Sequence, residues 1–186
     1  MNLNDFGKFF NYALGIVRLD TTSIKHVVKH KDATSWAVVF VVLAGLASAL
    51  FNDFGGVLDF VVGFLLWSFF SVGVVWVLAK VFGGKASYVE QYRAQGLVYA
   101  MYWVAALPFV GSVLTGIAQL WSLVVAVVVV RTVHKITSLK AFLAVFIPVL
   151  IAVVLFAVFI TAAVSWLIAN GGLPPEMIAE LQSFMP

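Results

Sequence analysis

No cysteine occurs anywhere in the chain. That absence excludes disulfides, thiolate nucleophiles, iron–sulfur clusters and cysteine-based zinc sites, and it leaves the redox compartment open. Charge is scarce too: 11 Lys and Arg with 8 Asp and Glu make only 10% of 186 residues. The signatures of several chemistries are also missing. "GGKAS" has neither the upstream glycine nor the adjacent Ser or Thr of a phosphate loop, and no nucleophile elbow or HExxH pair occurs. Neither enzymatic activity nor a cofactor is expected. What the chain has is apolar surface, with a hydrophobic fraction of 63% and a mean hydropathy of +1.10. Soluble domains use about 45–50% apolar residues, so this is an integral membrane protein with little length for a separate soluble domain.

A spanning helix needs about 20 mostly apolar residues, and five segments qualify. They are Ala33 to Phe51, Val57 to Ala79, Tyr88 to Leu107, Ser112 to Val130 and Ala141 to Ile168. The third admits two readings, a full span or a shorter tilted helix, because "LPFVG" is a turn signal close behind it. The fifth is long for one bilayer crossing, and Pro148 is its natural kink. The expected fold class is all-α, a polytopic membrane bundle of five transmembrane helices preceded by an N-terminal interfacial amphipathic helix. The expected organisation is a cytoplasmic N-terminal segment over 1–32, a membrane domain over 33–169 and an external tail over 170–186.

Cations support this threading. Lys8, Arg18, Lys25, Lys29 and Lys31 precede the first span. Lys80, Lys85 and Arg93 flank the second connector, and Arg131, Lys135 and Lys140 the fourth. The connectors "NDFGG" and "PFVG" and the tail hold none, so five crossings leave every cation on one side, which the positive-inside rule makes cytoplasmic. An N-in, C-out protein of the cell membrane is expected. "ASA" at Ala47 to Ala49 resembles a signal-peptidase site, but the long polar lead and the continuing apolar body favour an uncleaved first span. The cations sit in connectors rather than along one phosphate-tracking face, so nucleic acid is not an expected partner.

Candidate sites follow from the same pattern. Leu3, Phe6, Phe10, Ala13, Leu14 and Val17 recur at helical spacing, which fits a helix in the headgroup layer beside anionic lipid or one packed under the bundle. An interaction surface for lipid or a protein partner would comprise Lys80, Lys85, Arg93, Arg131, His134, Lys135 and Lys140. Glu90 and Arg93, three apart, can pair on one helix face. Tyr88, Tyr92, Gln95, Tyr99, Tyr102 and Ala106 form a polar-aromatic stripe that reads as an interhelical packing face. In the alternative, Tyr92, Gln95, Tyr99 and Gln119 line the cavity of a small passive permease or channel. Small residues four apart (Gly45 and Ala49, Ala44 and Ser48, Ser112 and Gly116) suit close packing within the bundle or in a homodimer. His26 and His30 lie four apart near Asp32, but the neighbouring lysines repel a cation and no metal site is expected. No ionisable residue sits mid-span, which weighs against a proton-coupled transporter.

From "FGGKASYVEQYRAQGLVYA" through "LWSLVVAVVVVRTVHKITSLKAFLAVFIPVLI" the chain resembles the Yip domain family. The resemblance is carried by Phe82, Gly83, Gly84 and Lys85, by Tyr88, Arg93 and Gly96, by Trp121, and by Arg131, His134, Ile136, Thr137, Lys140, Ala141 and Pro148. It implies a five-span protein with a cytoplasmic N-terminus. Eukaryotic members are associated with Rab-type GTPases. Their acidic-aromatic motif ending in "YGP" is absent here, so GTPase binding is not implied, and the chain is more similar to the short bacterial and archaeal members. Pro108 stands twelve residues after Gly96, farther than the family pattern has it. The expected function is a non-enzymatic scaffold that organises lipid or partner proteins through its basic cytoplasmic face.

Overall fold

The computed structural model describes residues 3–50 and 56–170, and among them every regular element is helical. A short 3₁₀ turn leads into α1 (Phe6–Val17). It is followed by α2 (Thr21–Lys29), α3 (Ala33–Ala49), α4 (Val57–Val81), α5 (Tyr88–Leu97), a 3₁₀ segment (Val98–Ala106), α6 (Gly111–His134) and α7 (Ser138–Ala169). The chain divides into two units, residues 1–146 and 147–186. In the second unit the helix carries Pro148 and exposes its side chains over 150–162, as an apolar helix facing lipid tails would.

Among the described residues three helices, α4, α6 and α7, are long and apolar enough to cross a membrane, or four spans if the bent α2–α3 pair counts as one. The other two expected spans differ in form. α3 has 17 residues and meets α2 at a bend of 114°. The third expected span is broken, with ten α-helical residues passing into nine of 3₁₀ helix. The external tail expected over 170–186 lies, apart from Asn170, outside the described residues.

Of the two readings of the N-terminal helix, the structure shows packing against the bundle: Phe9, Ala13 and Ile16 are fully buried in one cluster with Ile24, Val27, Trp36, Phe40, Leu97, Val125 and Val129. Protein covers that face because rings are stacked there to receive it. Phe6 and Phe10 lie 6.3 and 5.7 Å from the Trp103 ring, and Phe9 lies 5.7 Å from that of Trp36. The turn between α1 and α2 explains the hairpin. Leu19 adopts a left-handed conformation with φ 66°, and its N–H and that of Asp20 return to the Ile16 and Gly15 carbonyls, closing a Schellman-type stop. Asp20 then caps α2, its carboxylate accepting from the Thr22 and Ser23 amides at 2.9 and 3.0 Å and from the Ser23 hydroxyl at 2.6 Å.

Close backbone approaches set the remaining contacts. A Cβ on Gly96 would lie 2.6 Å from that of Ala37, and one on Gly45 would lie 2.9 Å from the Val61 Cα. Thus α5 and α4 both press against α3, and the Gly45 position is used within the chain. Between helices in lipid there is no hydrophobic drive, so such contacts and interhelical hydrogen bonds supply the association.

Two outcomes follow. Gly96→Ala forces α3 and α5 apart and lowers stability by about 1–3 kcal/mol, read as a lower melting temperature in detergent. The Asp20 carboxyl is held down at about 2 by the Ser23 hydroxyl and then by the Thr22 and Ser23 amides. A depressed acid stabilises the fold above its unfolded range and loses that contribution as pH falls through the folded value. Protection of the Ser23 amide from exchange, corrected for intrinsic rate, should therefore fall from about pH 4 to 2, and this pH dependence should be absent in Asp20→Asn.

Candidate functional site

The connectors α4–α5 and α6–α7 meet at one end of the first unit, and backbone chemistry explains how. α4 ends in a Schellman motif, with the Gly83 N–H on the Lys80 carbonyl at 2.9 Å, the Gly84 N–H on the Ala79 carbonyl at 2.8 Å and Gly83 at φ 89°. The glycine pair of "FGGK" serves two separate needs. Gly83 supplies the left-handed backbone, whereas Gly84 supplies room: a Cβ there would overlap the His134 ring and come within 2.7 Å of the Ala79 carbonyl. The Lys85 amide reaches the His134 carbonyl at 3.4 Å. Ser87 and Glu90 then start α5 as a capping box, Glu90 accepting from the Ser87 amide at 2.7 Å and Ser87 Oγ accepting from the Glu90 amide at 3.3 Å. Opposite, α6 stops at Lys135, left-handed with φ 55°, and the Thr137 hydroxyl accepts from the Lys140 amide at 3.4 Å to cap α7.

His134 is the buried centre of this junction. The Gln91 amide nitrogen donates to Gln95 Oε1 at 3.0 Å and to the Val72 carbonyl at 3.4 Å, which turns its Oε1 toward the imidazole. His134 Nε2–H therefore donates to Gln91 Oε1 at 2.7 Å, and Nδ1, facing Gly84, has no partner among the described residues.

Seven cationic positions were expected to form one surface, and the junction sorts them. Lys80, Lys85, Arg131, Lys135 and Lys140 are exposed. Lys80 Nζ lies 5.8 Å from the Trp76 ring centre and donates to the Lys85 carbonyl at 3.3 Å; Arg131 donates to Ser138 Oγ at 3.3 Å. Arg93 and His134 instead turn inward. Arg93 donates to Thr34 Oγ1 at 2.9 Å and to the Val28 carbonyl at 2.8 Å, tying α5 to the α2–α3 bend. Glu90 and Arg93 thus serve a cap and a tether, respectively.

The polar-aromatic stripe divides as well. Tyr92 is buried, stacked 4.7 Å from the Phe69 ring and 3.1 Å from Ser68 Oγ, and Gln95 accepts from Gln91. Tyr99 and Gln119 meet elsewhere. With Phe64, Trp67, Tyr102 and Thr115 they line a cavity of about 170 Å³, where the Tyr102 hydroxyl donates to Gln119 Oε1 at 2.8 Å. A larger recess of about 600 Å³ shares Thr115 and includes Ser48, Pro108 and Ser112. His26 and His30 take separate neighbours, the Tyr12 ring and the Lys8 amine with the Phe9 edge.

Sequence reasoning named Gly84 and Thr137 only as carriers of the family resemblance, without a role, and missed Gln91 and Thr34. The Ser-x-x-Glu spacing at 87–90 is a local signal from which the capping box could have been read, although Glu90 was paired with Arg93 instead. The partners of Gln91 and Arg93 lie on other elements and leave no local trace.

The model of the Yip1 domain matches residues 24–160, well over half of the chain. The chain belongs to the Yip1 domain family. The match begins in α2, upstream of the "FGGK" region, and ends in α7, so the domain includes the α2–α3 bend as well as the junction. No curated protein and no solved structure matches the chain.

For this Yip1 domain the junction yields a direct test. Gln91→Leu strands His134 Nε2–H in a buried site, at a cost of about 1–3 kcal/mol. Gly84→Ala, which drives a methyl into the same ring, lowers the melting temperature as well, whereas Lys85→Gln at the exposed neighbour leaves it within error.

Proposed function

We propose that this Yip1-family membrane protein is a non-enzymatic scaffold of the cell membrane. It crosses the bilayer five times with its N-terminus cytoplasmic, and it binds an acidic partner through the basic end of its first unit. The observation that carries the reading is the joining of two distant connectors by the Lys85–His134 backbone bond and the Gly84–His134 contact. That union gathers Lys80, Lys85, Arg131, Lys135 and Lys140 at one end of the bundle, all exposed. Arg93 and His134 serve this surface from beneath by fixing the elements that bear it.

The five-span count draws support from reach. Ten α-helical residues at 1.5 Å and nine 3₁₀ residues at 2.0 Å extend about 33 Å, against about 30 Å of hydrocarbon. The 17 residues of α3 extend about 26 Å, which modest thinning of the bilayer accommodates. A passive permease is the second reading, favoured by the cavity that Tyr99 and Gln119 share with Tyr102.

Since the native chain has no cysteine, single cysteines and crosslinkers distinguish these readings in membrane vesicles. For a scaffold, Lys85→Cys and Lys135→Cys react with a water-soluble maleimide from the cytoplasmic side only, while Tyr99→Cys and Gln119→Cys stay protected. Photocrosslinkers at 85 and 135 give adducts that disappear when Lys80, Arg131 and Lys140 are changed to Gln. Labelling of Tyr99→Cys and Gln119→Cys from water, with adducts indifferent to charge, would replace the scaffold by the permease.

A further inference from the structure

The position of the α1–α2 hairpin along α6 has a physical consequence for the surrounding lipid. Trp121 donates its indole N–H to the Val17 carbonyl, the last residue of α1, at 2.9 Å. Trp121 stands thirteen residues before His134 and ten after Gly111, so it is about 20 Å from the cationic end of α6 and about 15 Å from the other. Side chains lean toward a helix N-terminus, which carries the indole still farther from His134. If α6 crosses with His134 on the cytoplasmic side, Val17 therefore lies near the middle of a hydrocarbon layer about 30 Å thick. The other side of the hairpin agrees, because Phe6 and Phe10 stack on Trp103, which itself donates to the Phe40 carbonyl at 3.3 Å, well inside α3.

The outer surface of the hairpin is unsuited to lipid tails. Asn11, Arg18, Asp20, Thr22, Lys25, His26 and Lys29 are all exposed, and Lys31 follows. Asp20 is engaged in its cap, and Asp32 is the one exposed acid beside the lysines at the α2–α3 bend, so the surface is strongly cationic. Hydrocarbon does not accept such a face unpaired, and the known ways out are water defects and local thinning that bring headgroups to the charge.

We propose that the hairpin is sunk into the cytoplasmic leaflet to about the bilayer centre. Its basic face, led by Lys25, Lys29 and Lys31, then holds phosphates of anionic phospholipids drawn down around it. The proposal rests on the membrane-crossing reading of α6, and it deepens the scaffold reading by assigning lipid to the hairpin rather than to the connectors.

Nitroxides on single cysteines in the full chain, reconstituted in phosphatidylcholine vesicles with a minority of phosphatidylglycerol, test the depth. Arg18→Cys is compared with Leu120→Cys, which is 70% exposed on α6 at nearly the same level. A water-soluble nickel chelate should collide with the label at 18 about tenfold more often than with the label at 120, where oxygen dominates. Oxygen dominance at both positions overturns the sunken, headgroup-lined hairpin while α6 still crosses. Nickel dominance at both overturns the crossing of α6 and the proposal with it. For the lipid, the boundary-layer preference for spin-labelled phosphatidylglycerol over phosphatidylcholine should fall about tenfold in Lys25→Gln/Lys29→Gln/Lys31→Gln. It should hold in Lys85→Gln/Lys135→Gln, both variants keeping the native melting temperature. The reverse ranking overturns the hairpin as the lipid site and leaves the connector surface standing.

Discussion

Lipid tails neither donate nor accept hydrogen bonds, so a polar atom carried below the headgroups needs a partner in the protein or in headgroups and water drawn to it. Many interhelical bonds of this chain answer that constraint, although the buried Trp36 Nε1 and His134 Nδ1 have no partner among the described residues. Three indoles donate to backbone carbonyls on other elements: Trp76 to Ala86, Trp103 to Phe40 and Trp121 to Val17. Tyrosines do the same work. Tyr88 donates to the Phe69 carbonyl, Tyr92 meets Ser68, and Tyr102 reaches Gln119 and Ser122. Each such bond is worth about 1 kcal/mol in lipid. Their larger effect is on specificity, because each fixes the rotation of one helix against another where apolar packing alone would tolerate several.

Cationic side chains divide under the same rule. Those of the two connectors are exposed. Arg93 lies farther along its helix and spends its donors on Thr34 and the Val28 carbonyl. A guanidinium suits that role because its planar fork reaches two acceptors at once, which a lysine ammonium does not reproduce. The proposed surface and the tether are thus made of the same chemical material, exposed in one case and half-buried in the other.

Sequence made the all-helical membrane class and the helix stop at 82–85 legible, since long apolar runs and helix-stopping glycines are local signals. Helix starts and ends fell within a few residues for α4, α6 and α7. The 3₁₀ stretch was not legible, because Val98–Ala106 has the composition of an ordinary apolar helix; it packs against α3 and α6. Nor was the seat of α1, whose amphipathic pattern is equally satisfied by lipid or by the rings of Trp36 and Trp103. Sequence spacing put Glu90 beside Arg93, but each had a better partner, Ser87 in one case and Thr34 in the other. At His134 the residue type suggested a surface cation, whereas a glutamine on α5 made burial affordable.

Gly84 and His134 stand fifty positions apart and yet share one volume. The methyl that most residues would add at 84 is admissible only where 134 gives up its ring, and a ring at 134 obliges 84 to stay bare. Any lineage that alters one of these positions is therefore steered in what it can accept at the other, so the two should drift as a pair rather than independently.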